Sequence, residues 1–108
     1  IYKVLGKVTP SEIREMIRLA FKGDFIGARD QLRTLLYSYG LSGIDVVKLI
    51  YREVSYSRVK LEPQARLKLI ELLGEVSFRI TEGADDEIQL NALLARMALL
   101  GVGGLSSG

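Results

Sequence analysis

The feature that most constrains this chain is a series of apolar stripes with helical spacing, each bounded by residues that start or stop helices. The first stripe follows Thr9, Pro10 and Glu12, which occupy the positions of a capping box with proline in the first turn. Gly23 and Gly40 end the first two stripes, and an N-cap residue begins each stripe that follows. The pattern predicts an all-α fold, a bundle of about five helices.

The later helices have signals of the same kind. Ser42 with Asp45 three residues on is a variant capping box that predicts the third helix. The fourth helix is predicted from Glu62-Pro63 to about Thr81, before Gly83, and the fifth begins in the acidic run at 84–87.

The 108 residues are enough for one domain. We expect residues 1–8 to be a lead-in segment from an upstream domain, residues 9–100 to be the helical domain, and residues 101–108 to be a flexible Gly/Ser tail. Because the first residue is Ile rather than Met, we interpret the chain as a processed product or an excised fragment.

The composition argues against several classes of function. The chain has no Cys, no His and no Trp, and its formal net charge is +2. Without Cys there can be no disulfide or thiolate metal site, and without His the usual near-neutral general base is missing. No phosphate-binding loop of the G-x-x-x-x-G-K-[ST] type is present, and the apolar runs are far short of a membrane span. We therefore predict that the chain is not an enzyme, with no catalytic, cofactor-binding or metal-binding residue and no membrane partner.

Hydrophobic residues make up 48% of the chain and are concentrated in the last two helices. The fifth helix is apolar around nearly its whole circumference, and the fourth carries two apolar stripes. The two stripes are Leu69, Leu73, Val76 and Ile80, and Leu67, Ile70, Gly74 and Phe78. An all-round apolar helix must be buried on more than one side. We favour a second face that contacts another chain, and the alternative is that the fifth helix is the central helix of a monomer.

Two acidic groups have both a functional and a structural interpretation. The run Asp85-Asp86-Glu87 suggests a cation site, but consecutive helical residues diverge, so complementation of the helix dipole is preferred. Glu75, Arg79 and Glu82 form either a charge clamp at an interface or local pairs along one helix.

Basic and aromatic residues raise the possibility of nucleic-acid binding. The basic face of helix one, formed by Arg14, Arg18 and Lys22, is interpreted as a solvated face rather than as a phosphate-binding stripe. The tyrosines are interpreted as structural positions rather than as base-stacking positions, and they are Tyr37, Tyr39, Tyr51 and Tyr56. One alternative function is a DNA-binding helix-turn-helix, with Lys48 and Arg52 on its recognition helix. Another is an adaptor that binds a partner in an apolar groove.

Three segments carry a family resemblance. The most specific is FRITEGADDEIQLNALLARMAL at 78–99, the turn YGLSG at 39–43 supports it, and GKVTP at 6–10 is similar to the family's junction into this domain. From about Tyr2 to Leu100 the chain resembles the C-terminal domain of the replication factor C small subunit, the sliding-clamp loader, and most closely its archaeal form.

The resemblance implies that this is a collar domain, which joins the subunits of an AAA+ ATPase ring that loads the sliding clamp onto primer–template DNA in replication. ATP and Mg²⁺ would bind in upstream domains, so no residue here is assigned to them. The implied partners are other small subunits, the large subunit and, through the complete complex, the clamp and DNA, in an archaeal cytoplasm or a eukaryotic nucleus. We expect a homo-oligomeric ring whose subunit number is open. The candidate interface residues are Phe78, Arg79, Gln89, Leu90, Leu93, Leu94 and Met97.

Overall fold

The computed structural model describes residues 8–56 and 58–107, with side chains up to Gly101. Within these ranges every regular element is helical, so the predicted all-α bundle is confirmed. The five α-helices are α1 Pro10–Phe21, α2 Phe25–Arg33, α3 Gly43–Ser55, α4 Pro63–Thr81 and α5 Asp86–Ser107. The expected lead-in segment lies almost entirely outside the described residues.

The helices begin where their caps predict. Asp24 accepts a hydrogen bond from the Gly27 amide at 2.9 Å, which begins α2. At the start of α3, the Ser42 hydroxyl accepts from the Asp45 amide at 3.2 Å, and the Asp45 carboxylate accepts from the Ser42 amide at 3.0 Å. The predicted capping box is therefore confirmed in both directions. Gly27 is explained by the cap and not by a helix crossing, because a Cβ atom there would meet the Asp24 carboxylate.

The predicted helix stops are also confirmed. Gly23, Gly40 and Gly83 have φ values of 92°, 72° and 108°, in the left-handed region that side chains disfavour. The second apolar stripe, however, is not one uniform α-helix. After Arg33 the chain widens into a π-helical turn, Thr34–Ser38, before Gly40 reverses its direction.

The C-terminal end differs from the expectation. The sequence predicts a flexible tail from Gly101, because glycine in a helix costs about 1 kcal/mol relative to alanine. The structure instead continues α5 through Ser107. Gly101 lies directly against the backbone of Phe21 at the end of α1, a close approach that only a residue without Cβ permits. This contact favours continuation of the helix where local propensity alone would end it.

α5 is the central helix, because it contacts each of the other four. Its inner residues join side chains from α1 to α4 in one core. The fully buried large side chains are Ile13, Met16, Ile17, Leu32, Leu35, Ile50, Leu69, Leu73, Leu90, Leu93, Leu94 and Met97. The alternative in which the fifth helix is the centre of a single chain therefore describes this side of α5 correctly.

One buried carboxylate links α1, α3 and the segment between α3 and α4. Glu53 on α3 is 4% exposed and accepts a hydrogen bond from Arg14 on α1 at 2.8 Å. Arg58, in the segment that joins α3 to α4, approaches the same carboxylate at 3.7 Å. Arg66 on α4 donates to the carbonyl oxygens of Val54 and Val59 and so fastens this segment to α4.

Candidate protein-interaction surface

The two apolar stripes of α4 have different environments. Leu69, Leu73 and Val76 of the first stripe are at most 4% exposed and face the core. Leu67 and Phe78 of the second stripe are 66% and 65% exposed. Gly74 is exposed between them. At the helical spacing of residues 67, 74 and 78, all three lie on nearly the same side of α4. We call Leu67, Gly74 and Phe78 the α4 strip.

A second exposed strip follows α5 on the side opposite its buried residues. Ile88 and Leu99 are 67% and 68% exposed, and Ala92 is exposed between them. Their spacing of four and then seven residues keeps them on one face of the helix. We call Ile88, Ala92 and Leu99 the α5 strip. Because α4 and α5 pack against each other, adjacent helices each present apolar side chains to solvent.

The charges beside the α4 strip form pairs within the helix. Arg79 approaches Glu75 at 3.3 Å, and Lys68 approaches Glu71 at 3.1 Å. All four side chains are substantially exposed, so each pair contributes only a few tenths of a kcal/mol. Of the two interpretations of these charges, local pairing along one helix accounts for Glu75 and Arg79 in this chain.

The predicted interface residues do not share one surface. Leu90, Leu93, Leu94 and Met97 are at most 1% exposed. They form the core of this chain, so their assignment as subunit contacts is wrong. Phe78 and Arg79 are exposed and Gln89 is half-buried, and these three stay candidates.

The same correction shows which residues the sequence reasoning missed. Leu67, Ile88 and Leu99 are exposed but were not among the candidates. For Leu67 the signal was present, because it belongs to the second stripe of α4. For Ile88 and Leu99 the all-round apolar pattern of α5 left no periodic signal to separate an outer face from an inner one.

The acidic run at the start of α5 binds groups of this chain. Asp85 accepts from the Ile88 amide at 2.9 Å and caps α5. Asp86 accepts from the Gly43 amide at 2.8 Å, so it links α5 to the first turn of α3. In the ranges with described side chains, no group of three or more Asp and Glu is arranged to hold a metal ion. The three side chains diverge, as expected for consecutive helical residues.

Glu87, the third acid of the run, connects α5 to the π-helical turn. It accepts hydrogen bonds from Arg33 at 2.9 Å and from the Tyr37 hydroxyl. This hydrogen bond, together with the negative charge of Glu87, raises the pKa of Tyr37 above its usual value of 10.0. Arg33 also lies over the Tyr37 ring, with 5.1 Å between the guanidinium carbon and the ring centre.

The basic positions are divided among separate tasks. Arg14 pairs with buried Glu53, whereas Arg18 pairs loosely with Glu15 at 3.5 Å, so helix one does not present a uniform basic stripe. Lys48 and Arg52 are both exposed on α3, where a recognition helix would need them.

The tyrosines have several environments. The Tyr39 hydroxyl donates to Glu12 at 3.2 Å, and this hydrogen bond raises the pKa of Tyr39. Tyr51 is 49% exposed, and Tyr56 is 67% exposed with Arg58 over its ring at 5.6 Å. Each therefore has a structural contact or an isolated surface position, and the four do not form a stacking platform.

The fold and these strips define a class, a small all-helical domain with apolar side chains exposed on two adjacent helices. Comparison with known proteins is more specific. Residues 8–96 match the family described as Replication factor C C-terminal domain, and the chain belongs to this family.

Curated relatives agree with this assignment. The chain is 56% identical over 101 residues to the replication factor C small subunit of Saccharolobus solfataricus, which covers 94% of this chain and 31% of the relative. The corresponding protein of Sulfurisphaera tokodaii is 54% identical over the same shares, and that of Methanococcus vannielii is 45% identical over 93% of this chain and 31% of the relative. The chain thus spans about a third of the length of the relatives it matches. None of the described helices is both long enough and apolar enough to cross a membrane.

Proposed function

We propose that this chain is the collar domain of a clamp-loader small subunit, which holds the subunits of an AAA+ ATPase ring together during DNA replication. The observation that carries the proposal is the pair of apolar strips on α4 and α5 in a chain of this family. The core is already complete without these side chains, so another protein is needed to cover them.

The exposed apolar side chains of the two strips contribute favourable free energy to association. Leu67, Phe78, Ile88 and Leu99 each have about two thirds of their surface in solvent. Complete burial of such a side chain contributes about 1.5–3 kcal/mol, so the remaining two thirds contributes about 1–2 kcal/mol each. Contributions from both chains at one contact offset a substantial part of the free-energy cost of association.

The partners follow from the same proposal. The strips bind neighbouring small subunits and the large subunit, and an isolated chain forms a homo-oligomeric ring through them. ATP and Mg²⁺ act in the upstream domains, and the sliding clamp and primer–template DNA are reached through the complete complex. The setting is the cytoplasm of an archaeal cell. No catalytic, cofactor-binding or metal-binding role is proposed for a residue of this chain.

Charge placed on the α4 strip tests this proposal. Phe78→Glu and Leu67→Glu should each reduce the mass measured by sedimentation equilibrium to that of a monomer, because a carboxylate would be buried without a partner. The helical circular dichroism should not change, since both positions are largely exposed in the single chain. Ile26→Glu is the matched control, because Ile26 is 54% exposed on α2 and belongs to neither strip.

The outcomes distinguish the surfaces. An unchanged oligomer mass in both α4 variants would refute the assignment of the α4 strip. A mass reduced only by Ile26→Glu would move the contact to α2.

A further inference from the structure

A cavity of about 540 Å³ opens on a different part of the molecule from the two strips. It lies where the end of α1 and the segment between α3 and α4 meet α5 at Leu100 and Gly101. Its lining includes the apolar residues Phe21, Val59, Leu61 and Leu100, and none of its lining residues belongs to the α4 strip or the α5 strip.

The floor of the cavity is apolar. Val59 is 2% exposed, and Phe21, Leu61 and Leu100 are partly buried against the core. The volume is within the range of about 300–1,000 Å³ for sites that bind small molecules or anchor side chains. One aromatic or branched aliphatic side chain of a partner can enter such a space and lose contact with water.

The rim of the cavity is cationic. Arg18, Lys22 and Lys60 are all exposed there, against the single carboxylate of Glu62. Of the carboxylates whose positions the structure describes, Arg18 pairs with that of Glu15, an exposed residue, at 3.5 Å. Among the described side chains, Lys22 and Lys60 make no ion pair. The two lysines belong to separate elements, the end of α1 and the α3–α4 segment, and so provide positive charge from two elements of the rim.

The start of α4 adds to this potential. Ala65 lines the cavity in the first turn of α4, and the N-cap residue of that helix, Glu62, makes no side-chain capping hydrogen bond. The first intrahelical hydrogen bond of α4 runs from the Arg66 amide to the Glu62 carbonyl. The N-terminal end of a helix favours negative charge, whereas the C-terminal end of α1 at the same rim has the opposite sign, so the lysines are the main source of positive charge there.

We propose that this cavity binds an acidic linear segment of another protein, with one bulky apolar side chain on the floor and flanking carboxylates at Lys22 and Lys60. The separation of the cations on two elements favours an extended peptide with acids on both sides of an apolar anchor. This activity goes beyond the joining of subunits, since it uses neither strip.

The test measures binding of a fluorescein-labelled peptide that has a central phenylalanine flanked by glutamates, by fluorescence anisotropy. Lys22→Glu combined with Lys60→Glu should weaken binding at least about tenfold, as expected for loss of the principal charge contacts. Ala65→Phe should have a similar effect, because the new ring occupies the cavity from a partly exposed position. Lys48→Glu is the control, since it makes the same charge change at an exposed position on α3 outside this cavity.

Two altered peptides separate the contributions of charge and apolar anchor. Replacement of the central phenylalanine by serine, or of the glutamates by glutamines, should each weaken binding at least about tenfold. The Phe78→Glu chain should bind the original peptide as tightly as the unaltered chain, which keeps this result independent of subunit joining. No saturable binding, or equal binding to the Lys22→Glu/Lys60→Glu, Ala65→Phe and Lys48→Glu chains, would overturn the proposal. Equal binding of the serine peptide would also overturn it, because the apolar cavity would then have no role. Displacement of the peptide by decanoate at equal concentration would reassign the site to a free amphiphilic carboxylate.

Discussion

Gly101 determines how closely the C-terminal half of α5 can approach α1. A Cβ atom built on Gly101 would lie 2.7 Å from the carbonyl carbon of Phe21 and 2.9 Å from its Cα, and closer still to the carbonyl oxygen. Ordinary van der Waals contact for a Cβ atom begins at 3.4 Å. Because the opposing atoms are backbone, they cannot rotate away, and Gly101→Ala must move one helix relative to the other.

Two opposing terms set the size of the effect. Forcing an extra carbon into a close-packed contact costs about 1–3 kcal/mol. Alanine regains up to about 1 kcal/mol relative to glycine within a helix. We therefore expect Gly101→Ala to lower the free energy of unfolding by about 1–2 kcal/mol, which lowers Tm by about 4–8 °C for each kcal/mol.

Gly74→Ala is the matched comparison. A Cβ atom at Gly74 meets nothing within 4 Å, so this substitution should raise the free energy of unfolding by up to about 1 kcal/mol. Both variants are measured by urea denaturation in the Phe78→Glu background, so that association does not contribute to stability. A Gly101→Ala chain as stable as its parent would refute the close contact of α5 with α1.

Three further predictions concern the core and its polar links. Glu53→Gln should lower the free energy of unfolding by about 1.5–3 kcal/mol, through loss of a charged hydrogen bond. Glu15→Gln, at an exposed ion pair, should change it by less than about 1 kcal/mol. Urea titration compares the two variants, and equal effects would contradict the buried link. Because the pKa of Tyr37 is raised, its hydrogen bond stabilises the fold below the ordinary phenol pKa of 10.0, and this stabilisation is lost as the pH rises through the raised value. Tyr37→Phe should therefore reduce the loss of stability above pH 10, and an unchanged pH profile would argue against the hydrogen bond. Leu94→Glu should unfold the chain, because it buries an unpaired charge at a position 1% exposed, and retained helical circular dichroism would contradict the core assignment.

Local signals predicted the helices well. The Ser42–Asp45 capping box and the glycine at 83 act through groups within a few residues of each other, so the sequence contains the whole interaction. The end of α5 was predicted less well. Its continuation beyond Gly101 accompanies a contact with Phe21, eighty residues earlier in the chain, which no local pattern contains.

The candidate surface was predictable on α4 and not on α5. The two stripes of α4 are separated by polar positions, so the sequence shows that one of them must be left outside the core. On α5 the inner Leu94 and the outer Leu99 have the same side chain and apolar neighbours, and only the positions of the surrounding helices distinguish them. The predicted contacts on α5 were therefore assigned to the buried side.

The most direct test of the central claim is the protection of the α4 strip upon association. Because the chain has no cysteine, Glu71→Cys places a single thiol beside the strip, and Asp30→Cys places one on α2, where the native side chain is 68% exposed. The rate of maleimide labelling is measured for both variants over a range of protein concentration, with the mass followed by light scattering. We predict that labelling of the Glu71→Cys thiol slows as the oligomer forms, while labelling of the Asp30→Cys thiol keeps its rate. Equal rates at both sites throughout, or a chain that stays monomeric at the highest concentration, would contradict the proposal that this face joins subunits.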